Sequence, residues 1–169
     1  MSDVHEASWS FRTDACEVRV QRRVVVEQVR AWAYEVDQEL ADTLLLLASE
    51  LITNGVRYGE TDKLTVVMTA SADEVFIGVM DGSHIEPVQR NSGVDAPGGR
   101  GMELVSALAH SWGTHPTEAG KVVWFTLRVP GASAIVPVRD LQAQRQSELL
   151  ARIRASAPRV RVRALTTAV

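Results

Sequence analysis

The sequence predicts an α/β protein of the α+β kind, with three helices and about four to five strands. Three stretches carry that prediction. Leu44, Leu47, Ala48 and Leu51 recur at i, i+3, i+4 and i+7, the period of a helix that buries one stripe. Lys63–Ala70 and Glu74–Met80 are strand-like runs joined around Ser71-Ala72-Asp73, the pattern of a hairpin. Val123, Phe125, Leu127 and Val129 alternate within a further strand, Gly120–Val129.

The remaining elements follow in order. Trp9 and Phe11 alternate with Ser8, Ser10 and Arg12, which predicts a short edge strand. Asp14 is placed to cap a helix running to about Val36, with Val18, Val25, Val29, Trp32 and Val36 on one face and a gap near Arg22. The run Val24-Val25-Val26 would also suit a strand. Glu39–Tyr58 is the clearest helix, and Gly59 stands where its C-terminus is expected. Gly82 to Gly98 shows no period but holds Pro87, Gly93, Pro97 and Gly98; so long a loop inside a compact domain suggests a lid. Arg100–His110 reads as a third helix. Beyond Pro130 the Gly131–Ala134 stretch suggests a linker, Leu141–Arg154 a polar helix, and Ala155 onward a frayed or disordered end. Residues 8–130 therefore form the domain and 131–169 an extension.

Composition narrows the function. At 169 residues, 46% hydrophobic and 23% charged, the chain has ordinary globular make-up. A net charge of -3 gives no argument for direct nucleic-acid binding. The charge is unevenly spread: residues 1–130 carry 11 basic and 19 acidic side chains, residues 131–169 carry 7 and 2. A basic tail on an acidic domain is a solvated end or a contact for an anionic partner. Cys16 is the single cysteine, so no internal disulfide is available. The polar start lacks a signal-peptide pattern, and the longest apolar run, Leu44–Ala48, is far below the ~20 residues of a membrane span. A cytoplasmic, membrane-free protein is expected. His5, His84, His110 and His115 show no metal-ligand spacing.

Three clusters bear chemistry. Glu50 and Asn54 stand four residues apart on the second helix, so both point the same way, off the leucine stripe. A carboxamide oxygen suits a hard cation such as Mg²⁺, and a free carboxylate beside it can accept a proton. The same pair could simply decorate a solvated helix face. Asp81 closes the second hairpin strand immediately before Gly82, where a buried carboxylate could accept a ligand amino group or the Asp-Gly pair could only turn the chain. Gly98-Gly99-Arg100-Gly101 opens the third helix, where bare backbone N–H groups and the helix dipole favour phosphate. It is not a Rossmann fingerprint, because no strand directly precedes it and position 104 is Leu; nor is Gly120-Lys121-Val122 a P-loop.

The order of these pieces resembles the GHKL (Bergerat-fold) ATPase superfamily, and within it the bacterial anti-sigma regulatory factors that act as serine protein kinases. Glu50-Leu51-Ile52-Thr53-Asn54-Gly55-Val56-Arg57-Tyr58-Gly59 resembles the N-box of that superfamily, and Asp81-Gly82-Ser83 its first glycine box. Gly99-Arg100-Gly101-Met102-Glu103-Leu104 resembles the second glycine box, while Trp112-Gly113 and Gly120-Lys121-Val122-Val123-Trp124-Phe125 resemble the closing motif of the anti-sigma subgroup. The resemblance covers roughly residues 8–130. It implies a two-layer sandwich, with a mixed, mostly antiparallel sheet under three helices on one face.

The resemblance also implies roles. Glu50 is the catalytic base for a partner serine, and Asn54 holds Mg²⁺ against the phosphates of ATP. Asp81 meets the adenine amino group, with Gly82 and Ser83 beside it. Gly99, Arg100, Gly101 and Met102 cradle phosphate, residues 82–98 form the lid, and Arg57 and Lys121 join the nucleotide site. The implied partners are a sigma factor and a serine-phosphorylated antagonist, and the implied assembly is a homodimer. The chain departs from the pattern at Gly55 and Tyr58, at Ser83-His84, and at Lys121, for which a nucleotide contact and a solvated strand-start lysine are equally open. A non-catalytic module that holds ATP, or has lost it, and regulates a partner by sequestration is the alternative reading.

Overall fold

The computed structural model describes residues 5–32, 34–71, 73–85 and 101–129. Most of the expected lid, Gly99, Arg100 and the whole extension 131–169 lie outside these residues. The elements are β1 (His5–Arg12), α1 (Ala15–Ala31), α2 (Gln38–Tyr58), β2 (Lys63–Ser71), β3 (Glu74–Asp81), α3 (Gly101–Leu108), β4 (Ser111–Thr117) and β5 (Gly120–Arg128). One five-stranded sheet runs in the order β1-β2-β3-β5-β4, and each of its four pairings is antiparallel. This is the α+β sandwich expected from the sequence, with α1, α2 and α3 joined to one face of the sheet in a single core.

The core follows from the two periods. On α2, Leu44, Leu47, Ala48, Leu51 and Ile52 are all at most 1% exposed. Burying each of the larger ones contributes about 1.5–3 kcal/mol. They meet Leu64, Val66, Met68, Val75, Ile77, Val79, Val123 and Phe125, the alternate residues of β2, β3 and β5. The opposite face carries a smaller cluster of Val67, Phe76 and Val122, with Met80 and Trp124 packed against it.

Several local details correct or complete the sequence reading. Asp14 does stand at the N-cap of α1, but its side chain makes no capping hydrogen bond. The helix stops at Ala31, not Val36. The gap in its apolar stripe is filled by Gln21, which accepts from Trp9 Nε1 at 2.8 Å and donates to Glu17 Oε2 at 2.7 Å. That chain of hydrogen bonds ties β1 to α1 and satisfies a polar side chain only 8% exposed. On α2 the cap is Asp37, whose carboxylate accepts from the Leu40 N–H at 2.8 Å. The strand β4 went unrecognised, because Ser111-Trp112-Gly113-Thr114-His115-Pro116-Thr117 has little β propensity and an internal proline. Its place at the sheet edge makes Pro116 tolerable. Among the described residues no helix is long and apolar enough to cross a membrane.

Candidate functional site

Packing fixes the orientation of α2 over the sheet, and that orientation sets out the site. Gly55 lies against β2 and β3: a Cβ there would sit 2.9 Å from Leu64 Cδ1 and 3.5 Å from Val79 Cγ1. The helix can therefore approach the strands closely, which explains a glycine in a helix interior despite its cost of up to ~1 kcal/mol. With Leu51, Ile52 and Gly55 turned into the core, Glu50 and Asn54 are left half-buried and Arg57 exposed. Burial raises the Glu50 carboxyl above the usual glutamate range, while the Arg57 charge pulls it partly back.

The Glu50 carboxylate rests against the first residue of α3. A Cβ on Gly101 would collide with Glu50 Oε2 and lie 3.2 Å from Cδ. The segments that resemble the second glycine box and the N-box thus meet through these two residues. Met102 and Val105 anchor α3 in the core at 6% and 0% exposure, leaving the helix start on the Glu50 side.

The other end of the site is Asp81, the last residue of β3 and the cross-strand partner of Lys121 on β5. Lys121 Nζ donates to Asp81 Oδ1 at 2.8 Å, and the Ser83 N–H donates to the same oxygen at 2.9 Å. The ammonium also reaches the Ser83 carbonyl at 3.4 Å. Both charged side chains are buried, at 3% and 1% exposure. Burial pushes the Asp81 carboxyl above the usual aspartate range; the Lys121 and Ser83 hydrogen bonds and the Lys121 charge oppose it, and Glu60 adds to it.

Glycines close around this carboxylate. Gly59 ends α2 in a right-handed conformation, φ -77° and ψ -11°, so no left-handed cap requires it. Its reason is proximity: a Cβ would collide with the Gly55 carbonyl and stand 2.9 Å from Asp81 Cβ. Gly120 has φ 147° and would drive a Cβ into the Asp81 carbonyl oxygen.

The structure therefore brings the sequence-predicted residues into two groups. Glu50 and Gly101 meet at the start of α3, with Asn54 one turn further along α2. Asp81, Ser83 and Lys121 meet at the ends of β3 and β5, with Gly82 beside Gly59 and Thr61. Lys121 is not the solvated lysine that its place at a strand start suggested, because an antiparallel register sets it opposite a buried carboxylate. Gly59 and Gly120 were not singled out as site residues. Their signal lay in the strand and helix ends that converge on Asp81, which only the register reveals.

The profile of the histidine kinase-like ATPase domain matches residues 12–127, well over half of the chain. No curated protein matches. Among solved structures, the RsbU and RsbW domains of Rv1364c from Mycobacterium tuberculosis share the fold, with a TM-score of 0.56 and 14% identity. The match covers 79% of this chain and 35% of that one, so this chain spans about a third of its length. The five-stranded sheet under three helices and the matched span together place the protein: it belongs to the histidine kinase-like (GHKL) ATPase domain family.

Proposed function

We propose that the chain binds MgATP and regulates a partner protein as an anti-sigma factor, phosphorylating an antagonist on serine or threonine. The observation that carries this reading is the contact of the Glu50 carboxylate with Gly101 at the start of α3. A helix N-terminus attracts phosphate, and here a half-buried carboxylate of raised basicity stands beside it.

The residues present suit the group. Mg²⁺ keeps most of its water and takes one or two protein oxygens, which the Asn54 carboxamide can supply. No cluster of three metal-ligating acidic, histidine or cysteine side chains occurs among the described residues, as a cage for a dedicated metal would require. MgATP supplies the phosphoryl group and the charge that activates it for transfer. Glu50 accepts the proton from the partner's hydroxyl, Asn54 orients the phosphate end, and Asp81 receives the base. The rim of the site on α2 carries Arg57, exposed and free to meet phosphate or partner. The sigma factor, the antagonist and a homodimeric assembly belong to the same proposal, as does a cytoplasmic setting.

A second reading is a module that holds nucleotide and acts by sequestration. Ser83, which replaces an expected glycine in the first box, is only 1% exposed and is locked by Asp81 and Lys121. That departure from the family pattern is what favours a module that holds nucleotide, or has lost it, without catalysis. Mass spectrometry of proteins captured with the chain, after incubation with MgATP, separates the two. Transfer to a captured partner serine or threonine, lowered about 10²–10⁴-fold by Glu50→Ala, supports the kinase. Transfer that survives Glu50→Ala undiminished removes Glu50 as the base.

A further inference from the structure

Burying an ammonium group is costly unless it is paired and hydrogen-bonded. Lys121 is the second residue of β5, where an apolar side chain would avoid that cost. Its charge is instead placed on one oxygen of one carboxylate. Lys121 Nζ and the Ser83 N–H both occupy Asp81 Oδ1, at 2.8 Å and 2.9 Å. Gly59 and Gly120 pack closely against Asp81, and its side chain is buried.

We infer that Lys121 is the positioning residue through which this chain selects a 6-aminopurine over a 6-oxopurine nucleotide; this rests on the reading of Asp81 as the carboxylate that meets the base. Among the described residues the hydrogen bonds to the Asp81 carboxylate fall on Oδ1, which leaves Oδ2 to meet a ligand. An ionised carboxylate only accepts hydrogen bonds, so Oδ2 takes an amino N–H and turns away a carbonyl oxygen. A protonated carboxyl would donate instead and would welcome the carbonyl. Burial drives Asp81 toward that protonated form, and Glu60, from the turn after α2, drives it the same way. Lys121, from β5, is the cation that opposes that drive through its hydrogen bond and its charge. The ion pair thus sets the polarity with which the base is read, through a residue that need not touch the base.

The test is calorimetric titration of the full chain with MgATP and with the magnesium complex of inosine triphosphate, at pH 8 and pH 6, for wild type and Lys121→Met. The wild type is expected to prefer ATP by about 100-fold or more at both pH values, since a site built for one hydrogen-bond pattern strongly rejects its reverse. In Lys121→Met the preference shrinks at least about tenfold, and shrinks further as pH falls, because protonation of Asp81 then weakens ATP and strengthens the inosine nucleotide. A purely structural ion pair would lower both affinities together and leave their ratio independent of pH. Should Lys121→Met fail to fold, Asp81→Asn/Lys121→Met removes both charges at once, and is expected to bind with little preference at either pH. A wild-type ratio that persists in Lys121→Met, or in the double variant, overturns the inference while leaving nucleotide binding intact. A wild type that binds neither nucleotide overturns the underlying functional reading as well.

Discussion

The carboxylate of Glu50 lies so close to Gly101 that it keeps its place only because that residue has no side chain. In the proposed site α2 carries the base and α3 the phosphate-facing terminus, and the two helices meet at this contact. A methyl group on Gly101 would push the carboxylate out of place.

Gly101→Ala is therefore expected to lower phosphoryl transfer by about 10–100-fold, the scale on which small displacements of a reacting group act. Because the loss runs through Glu50, Gly101→Ala combined with Glu50→Ala should be little worse than Glu50→Ala alone. Transfer rates for the three variants check this. Fully additive losses would mean that Gly101 matters for reasons unconnected with Glu50.

Glu50 also makes stability depend on pH. Its carboxyl is raised by burial, so the folded state holds its proton more tightly than the unfolded state. That contribution is complete below about pH 4.3, where an exposed glutamate ionises, and is lost as pH rises through the higher folded value. Urea midpoints should show Glu50→Gln gaining on the wild type as pH rises over this range. A wild type that gains on Glu50→Gln instead would mean that Arg57, not desolvation, governs the carboxyl.

The two helix caps give a contrasting pair. Asp37→Ala removes a hydrogen bond to the Leu40 N–H and is expected to cost about 0.5–2 kcal/mol. Asp14→Ala removes no capping hydrogen bond and should stay within about 0.5 kcal/mol of wild type. Equal losses in chemical denaturation would contradict the distinction.

At Gly120 a side chain meets both an unfavourable φ of 147° and the Asp81 carbonyl. Gly120→Ala is expected to destabilise by about 2–4 kcal/mol and to weaken nucleotide binding, since the shift falls on Asp81. Denaturation midpoints and a MgATP titration on the same sample check both effects. A variant as stable as wild type would show that the β4–β5 turn adapts freely.

Much of this was legible in the sequence, for physical reasons that differ by element. The leucine stripe of α2 and the alternating Val123, Phe125 and Leu127 of β5 face the main core, so period alone exposed them. Gly59 was rightly placed at the end of α2 but for a different reason, since its missing side chain makes room for Asp81 and not for a left-handed turn. The strand β4 was not legible: its partner β5 organises it, and its own residues argue against a strand. Within the proposed site, Glu50, Asn54 and Asp81 stood out through the order of the motifs, not through spacing alone. The burial of Lys121 did not, because it depends on a register between residues forty positions apart. Gly99, Arg100 and the lid beyond residue 85 lie outside the described residues and remain part of the proposal.

The central claim is a MgATP site built on α2, and calorimetric titration of MgATP into wild type and Asn54→Ala tests it most directly. The account predicts saturable binding by the wild type that is weakened at least about tenfold in Asn54→Ala, with the magnesium dependence reduced in the variant. Binding of equal strength and equal magnesium dependence in both proteins, or no binding by the wild type, would contradict it.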